Sequence, residues 1–201
     1  MLAVGNNEIT NVMVGSTEIS NAYIGNTLVW TRDFPKPWLC FEASVTQGTS
    51  VSMTKVGSPS YTPRLEYSTN GKNWSTFTPG STSVKIAKQG DKVWFRAPSG
   101  QSNTRMGTDQ NNYWKFNPNG YVSISGDVTS VLQTDGNVLT LQNYALTSLF
   151  RQNYYIRDVS GIVIPATKVG NRSCSSMFRD CQSLSTAPSE LYIGERTSTS
   201  S

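Results

Sequence analysis

The segment Tyr67-Ser68-Thr69-Asn70-Gly71-Lys72-Asn73-Trp74 contains the clearest turn signal in the chain. Asn-Gly is the preferred central pair of a two-residue type I′ turn, because both central residues of that turn need a positive φ. Such a turn predicts a hairpin in which Thr69 faces Lys72 and Tyr67 faces Trp74, a cross-strand aromatic pair that would hold the register. The segment therefore predicts antiparallel β-structure on both sides of it.

Further strand-like runs surround this turn, separated by Gly, Pro and Asn, and no helical stripe or heptad interrupts them. Val84-Lys85-Ile86 and Val93-Trp94-Phe95, joined through Gln89-Gly90-Asp91, predict a second hairpin. In chain order the runs are residues 38–45, 50–56, 64–68, 74–78, 83–87, 92–97, 113–116, 121–125 and 137–142. Their length and spacing favour an antiparallel β-sandwich, which we place at residues 32–143. The long polar stretch 99–112 is expected to be a contact loop or a flexible surface excursion.

The N-terminal segment repeats with a period of ten residues. Gly5, Gly15 and Gly25 align, and an Ile or Val follows four residues after each. Each glycine with its polar neighbours predicts a turn, and the stretches between the glycines predict short strands. Such strands bury little surface, so residues 1–31 are expected to complete a core against another chain or against symmetry mates. The alternative is a meander packed on the following domain.

A different repeat, with a period of 28 residues, occupies the C-terminal part. Leu149-Phe150-Arg151 aligns with Met177-Phe178-Arg179, and the same offset places Asn153 on Cys181. Leucine-rich repeats accept either Asn or Cys at one turn position, and their period is roughly 20–29 residues. Residues 144–201 are therefore expected to form a partial leucine-rich-repeat-like segment with structural cysteines. Continued in register, Ser201 falls just before the next expected Cys, as in the front part of a longer fibre.

Composition excludes several kinds of chemistry. Ser, Thr and Asn make up 65 of the 201 residues, and there is no histidine. A Ser-His-Asp or Cys-His pair and an H-E-x-x-H zinc site are therefore impossible. The 13 acidic residues contain no recognisable glycosidase pair, and the three cysteines fit small buried thiols. We expect a non-enzymatic protein with no catalytic residue, metal site or cofactor.

Charge and hydropathy also restrict the partners. The 17 Lys and Arg residues, against 13 acids, are scattered singly, so a nucleic-acid partner is not expected. No apolar run approaches the ~20 residues that cross a bilayer, and no membrane anchor is expected. Exposed Trp and Tyr among hydroxyl and amide side chains are typical of sugar-binding surfaces. Trp74, Tyr113 and Trp114 lie near predicted loop edges and are the candidate glycan-contacting residues, with core packing as the alternative.

Three motifs carry a resemblance to a known group of proteins. They are Tyr23-Ile24-Gly25-Asn26-Thr27-Leu28-Val29-Trp30, the block from Leu65-Glu66-Tyr67 to Trp94-Phe95-Arg96, and Ser176-Met177-Phe178-Arg179-Asp180-Cys181-Gln182-Ser183-Leu184. Together they resemble virion structural proteins, head or tail fibres, of tailed phages that infect Bacteroidales, including crAss-like phages. The C-terminal motif is similar to Bacteroides-type leucine-rich repeats. The resemblance implies an N-terminal anchor on the particle, a β-sandwich spacer, a distal repeat region and, as is common in such fibres, a homotrimer.

The function expected from these observations is a head fibre or capsid decoration protein in the virion, assembled in the host cytoplasm and bound to other virion proteins. A tail or baseplate fibre that acts as a host adhesin is one alternative, and a bacterial surface carbohydrate-binding module is another. The residues expected to anchor the chain on the particle are Val4, Gly5, Ile9, Val14, Gly15, Ile19, Tyr23, Gly25 and Trp30.

Overall fold

The chain forms two compact units, Met1–Lys36 and Pro37–Ser201. The computed structural model describes residues 38–134, 136 and 138–188, together with the backbone of the short strands between residues 3 and 31 and at 195–196. β-Strand makes up 39% of the structure, so the expected mainly β fold is confirmed. Within the described residues, no helix has both the length and the apolar character that a membrane span requires.

The described strands of the N-terminal unit form three antiparallel pairs, one for each ten-residue repeat. Their strands are β1 (Ala3–Val4) and β2 (Asn7–Glu8), β3 (Val12–Val14) and β4 (Thr17–Ile19), and β5 (Asn21–Ile24) and β6 (Thr27–Thr31). The innermost pairs are Val4 with Asn7, Val14 with Thr17 and Ile24 with Thr27. Each pair encloses two residues of the chain, which lie outside the described residues.

The second unit is built mainly from two sheets. Its strands are β7 (Leu39–Ala43), β8 (Thr49–Val56), β9 (Leu65–Ser68), β10 (Ser75–Phe77), β11 (Ser83–Ile86), β12 (Lys92–Arg96), β13 (Tyr113–Pro118), β14 (Val122–Asp127), β15 (Thr140–Leu141), β16 (Ile156–Val163), β17 (Lys168–Val169) and β18 (Glu195–Arg196), with a 3₁₀ turn at Val128–Val131. One sheet has the order β10-β9-β12-β7-β14-β16 and the other β11-β8-β13. All pairs in these sheets are antiparallel except β14 with β16.

The two sheets share one apolar core. Alternation along β8 buries Val51 and Met53 while the residues between and beside them are half-exposed or exposed, as expected for a strand with one face on the core. Phe41 and Phe95 of the six-stranded sheet lie 5.1 Å and 4.9 Å, centroid to centroid, from Phe116 of the three-stranded sheet. This arrangement is consistent with the expected β-sandwich.

The predicted register of the first hairpin is wrong. β9 pairs with β10 so that Tyr67 faces Ser75, and Trp74 precedes the paired strand. The cause is Asn70, whose Oδ1 accepts hydrogen bonds from the backbone N–H groups of Lys72 and Asn73. This side-chain-to-backbone bonding organises a wider loop than a two-residue turn, although Gly71 does adopt a positive φ of 68°.

The predicted second hairpin is also wrong. β11 pairs with β8, whereas β12 pairs with β7 and β9, so the two strands belong to opposite sheets. The connection is held by bonds between Gly90 N and Ala43 O and between Ala43 N and Asp91 O. The chain therefore crosses the edge of the sandwich here, and both strands bury their apolar faces in the same core from opposite sides.

The polar stretch 99–112 is packed against the domain. Met106 is only 1% exposed, and the buried Asn103 is a hydrogen-bonding centre. Its Nδ2 donates to Arg64 O and Val131 O, and its Oδ1 accepts from Arg64 N and from the Tyr61 hydroxyl. This part of the loop is thus not a flexible surface excursion.

Residues 142–188 contain two coils that stack with an offset close to the predicted 28 residues. The N–H groups of Leu146, Ser148 and Phe150 donate to carbonyls 27 residues further on, at Ser173, Ser175 and Met177. Non-glycine residues with positive φ recur at the same places in both coils, at Tyr144, Ser148 and Gln152 and again at Arg172, Ser176 and Asp180. β15 pairs in parallel with β17 in the 28-residue register, outside the sandwich to which residues 137–142 were assigned. The leucine-rich-repeat identity of these coils stays a prediction.

Strand β13 packs and hydrogen-bonds on the first coil in the same way as the first coil packs on the second. Phe116 N donates to Leu149 O at 2.9 Å, just as Phe150 N donates to Met177 O at 3.0 Å. The rings of Phe116, Phe150 and Phe178 stack at centroid distances of 6.1 Å and 5.3 Å. The sandwich therefore caps the stack of coils, and residues 144–188 share its core.

Candidate binding surfaces

Some of the expected anchoring residues lie in described strands and others lie outside the described residues. Val4, Val14, Ile19, Tyr23 and Trp30 lie in β1, β3, β4, β5 and β6. Gly5, Ile9, Gly15 and Gly25 lie outside the described residues. Their anchoring role stays a prediction.

Trp74 is half-buried in an aromatic cluster on the outer face of the six-stranded sheet. The Trp74 and Trp38 rings pack edge to face, with their centroids 4.7 Å apart. The Arg96 guanidinium carbon lies 3.8 Å from the Trp74 ring centroid. Nε and Nη2 of Arg96 both donate to Oε2 of Glu66 at 3.2 Å. The stacked cation occupies one face of the Trp74 ring, so that face has no room for a sugar.

Tyr113 and Trp114 are buried, which removes them from the candidate glycan-contacting residues. Tyr113 is 2% exposed and Trp114 is 6% exposed. Loop 99–112 explains this burial, because Trp114 N donates to Met106 O and Gly107 bridges to Tyr113. Trp114 Nε1 also donates to Tyr61 O at 2.8 Å. Both rings pack inside the domain and cannot stack on a ligand from solvent.

A different set of aromatic residues is exposed where the sandwich meets the coils. We define the tyrosine surface as Tyr121, Tyr154, Tyr155 and Arg157. Tyr154 is 55% exposed and Tyr155 is 39% exposed. The rings of Tyr121 and Tyr155 lie 5.7 Å apart at an interplanar angle of 76°, and the Arg157 guanidinium carbon lies 3.6 Å from the Tyr121 centroid. The surface therefore combines apolar rings, hydroxyl groups and one cation.

The geometry of the tyrosine surface follows from the pairing of β14 with β16. Val122 pairs with the buried Ile156, so the preceding residues Tyr121 and Tyr155 lie side by side on the outer face. The next pair is Ser123 with Asp158, which leaves Arg157 as an extra residue on β16. Such a bulge turns a side chain away from the regular alternation, and here it accompanies the stacking of Arg157 on Tyr121.

The tyrosine surface was not predicted from the sequence, although the sequence contains one signal for it. Tyr154 and Tyr155 immediately precede strand β16, and successive side chains of extended backbone point to opposite faces. Two consecutive tyrosines next to a buried Ile156 therefore place at least one ring towards solvent. The neighbour Tyr121 could not be found in this way, because its position depends on which strands pair.

A polar groove opens beside the loop between β9 and β10. It has a volume of about 440 Å³. Its lining consists of Tyr67, Ser68, Thr69, Asn70, Asn73, Ser75, Ser83, Val84 and Lys85. Hydroxyl and amide groups dominate this lining, and they suit a polar ligand.

The described thiols are buried or half-buried, and the Asp109 carboxylate lies in loop 99–112. Burial raises the pKa of Cys40 and of Cys174 to about 11, which disfavours the nucleophilic thiolate. The pKa of Asp109 is lowered because the Asn112 side-chain amide donates to it, and this carboxylate organises its own loop. In the part of the chain that the structure describes, no group of three or more Cys, Asp or Glu residues could hold a metal ion.

Comparisons of the chain with protein-family models, with curated proteins and with solved structures give no significant match.

Proposed function

We propose that the chain is a non-enzymatic structural protein of a phage particle, a head fibre or capsid decoration protein. Residues 1–31 attach it to other virion proteins, and the larger unit projects outward. The protein is assembled in the host cytoplasm and acts in the virion, as a homotrimer. The observation that carries this proposal is the division of the chain into a small unit of repeated hairpins and a larger unit with its own core.

The hairpins support attachment because they are too small to be stable alone. Their strands contain two to five residues. An isolated two-stranded hairpin is marginally stable in water, and short strands gain stability when a partner supplies further strands or an apolar surface. The Val, Ile, Tyr and Trp residues of the repeat provide apolar side chains for such a partner.

Cosedimentation with particles tests the attachment. The full chain and a variant lacking residues 1–36 would be mixed with phage particles stripped of the protein, and electron microscopy would locate the bound chain. We expect the full chain to bind the capsid and the shortened variant to stay in the supernatant. Binding at the tail would favour the tail or baseplate fibre, and no binding to any part of the particle would contradict the proposal.

Adhesion to host surface glycans is a second candidate function, favoured by the exposed tyrosine surface. Tyr and Trp rings at interfaces combine an apolar face with a polar group, and this combination suits sugars. Such adhesion fits a tail fibre or a bacterial carbohydrate-binding module. Adsorption of particles that carry Tyr155→Ala distinguishes the functions, because an adhesin variant would adsorb poorly and a decoration variant would adsorb normally.

A further inference from the structure

We infer that the tyrosine surface binds an acidic saccharide, with Arg157 pairing with its carboxylate and Tyr155 stacking against its ring. This inference rests on the second candidate function, adhesion to glycans, and names the class of ligand. It is supported by the unpaired, exposed Arg157 guanidinium in the described part of the chain and by the two tyrosine rings beside it.

The Arg157 guanidinium has no hydrogen bond or ion pair to any residue that the structure describes. Its contact among the described residues is with the Tyr121 ring, whose centroid lies 3.6 Å from the guanidinium carbon. The side chain is exposed. Five N–H donors in a planar fork therefore face outward beside an aromatic ring, and this geometry matches a carboxylate in two parallel hydrogen bonds.

Arg96 shows what such a stacked arginine binds in the same protein. Its guanidinium also lies over an aromatic ring, Trp74, at 3.8 Å. The Glu66 carboxylate accepts hydrogen bonds from two of its N–H groups. Arg157 repeats the stacked arginine without an internal carboxylate, so a ligand carboxylate would complete the same arrangement.

The surroundings of Arg157 suit a sugar rather than an isolated anion. Tyr155 stands almost perpendicular to Tyr121, so the two rings form a corner next to the cation. Ser44 and Ser123 lie close together near the same strands, with their Oγ atoms 3.2 Å apart, and supply hydroxyl groups. An aromatic ring stacks on the C–H face of a pyranose, while hydroxyl groups orient it.

The nearby acids do not pair with Arg157 in the part of the chain that the structure describes. Glu42, cross-strand from Ser123, pairs with Lys92 at 3.3 Å. The Asp158 carboxylate accepts a hydrogen bond from Ser160 N. The Arg157 guanidinium therefore remains available to a ligand carboxylate.

Binding of defined polysaccharides to the full-length protein tests the inference. The probes are oligomers of polygalacturonate, alginate and polysialic acid, with neutral galactan as the comparison, measured by isothermal titration calorimetry. We expect the protein to bind at least one acidic probe, more weakly as NaCl is added, and to bind galactan weakly. Arg157→Gln and Tyr155→Ala should each weaken acidic binding by roughly tenfold or more, because each removes a main contact.

Matched variants separate this site from general charge attraction. Arg172→Gln removes an exposed arginine of the coil region that contacts Gln110, and it should leave binding unchanged. Tyr155→Phe keeps the ring and should bind nearly as well as the unmodified protein. Circular dichroism checks that each variant is folded.

Three outcomes would overturn the inference. Equal binding of galactan that Arg157→Gln does not change would contradict the acidic class but leave adhesion intact. Equal losses of acidic-probe binding in Arg172→Gln and Arg157→Gln would show unspecific attraction between the basic protein and the acidic probe. Binding of none of the four probes would contradict this ligand class, and a parallel neutral glycan array that also gave no binding would remove adhesion itself. In that case capture of a virion protein through Tyr155 would assign the surface to a protein contact.

Discussion

Phe150→Ala is expected to destabilise the whole second unit, although Phe150 lies outside the sandwich strands. Phe150 is fully buried, and its ring lies 6.1 Å from Phe116, 6.2 Å from Phe41 and 5.3 Å from Phe178. Truncation of a buried phenylalanine costs about 3–5 kcal/mol. We expect a value in the upper half of that range, because hydrogen bonds fix β13 and the coils on both sides of the cavity that the truncation leaves, so the cavity cannot collapse.

Urea unfolding followed by tryptophan fluorescence measures the loss of stability in the sandwich, away from the substituted residue. Trp38, Trp74, Trp94 and Trp114 all belong to the sandwich part of the unit. With a slope of about 2 kcal/mol per molar urea, a loss of about 4 kcal/mol lowers the transition midpoint by roughly 2 M. The tryptophan transition should move by this amount because the coils and the sandwich share one core.

Phe178→Ala is the matched control. It removes the same ring from the next coil, where the side chain is only half-buried, and should cost no more than about half as much. An unchanged tryptophan transition in Phe150→Ala, together with loss of structure in the coils, would show that the coils fold independently and would refute the reasoning. Equal losses in both variants would refute the argument from burial. If Phe150→Ala does not fold, Phe150→Leu should give a smaller shift in the same direction.

Three further predictions concern other parts of the same unit. Asn103→Ala should lower the free energy of unfolding by at least about 2 kcal/mol, because it leaves Arg64 N and Val131 O without their buried partner; a loss below about 0.5 kcal/mol in urea unfolding would contradict this. In hydrogen exchange followed by NMR, the amides of Leu146, Ser148 and Phe150 should exchange more slowly than their equivalents at Cys174, Ser176 and Phe178. The latter donate to no acceptor among the described residues, so equal rates would argue against the stacked coils. The stability contributed by Cys40 should be present below about pH 9 and be lost as pH rises towards 11, because burial raises the pKa of its thiol above the unfolded value. The free energy of unfolding of Cys40→Ala should therefore decline less between about pH 8 and pH 10.5 than that of the unmodified protein. An identical decline would contradict this prediction.

Local features of the fold were predictable from short stretches of sequence. Each of the nine predicted runs overlaps an observed strand, because β-branched and aromatic residues between Gly, Pro and Asn favour extended backbone. The 28-residue spacing of Phe150 and Phe178 anticipated which residues lie above one another. Of the three candidate glycan-contacting residues, Tyr113 and Trp114 are buried and Trp74 is half-buried, with Arg96 over one face of its ring.

The sequence by itself determined where strands form and where the two repeats begin, since both depend on residues close together in the chain. Only the tertiary structure decided which strands pair, because residues 87–91 can equally turn back or cross to the other sheet. It also decided that loop 99–112 buries Tyr113 and Trp114, and that an extra residue in β16 accompanies Arg157 on Tyr121. These outcomes depend on contacts between segments far apart in sequence. Hydrophobic burial, which drives such contacts, depends on surface removed from water and carries no information about chain order.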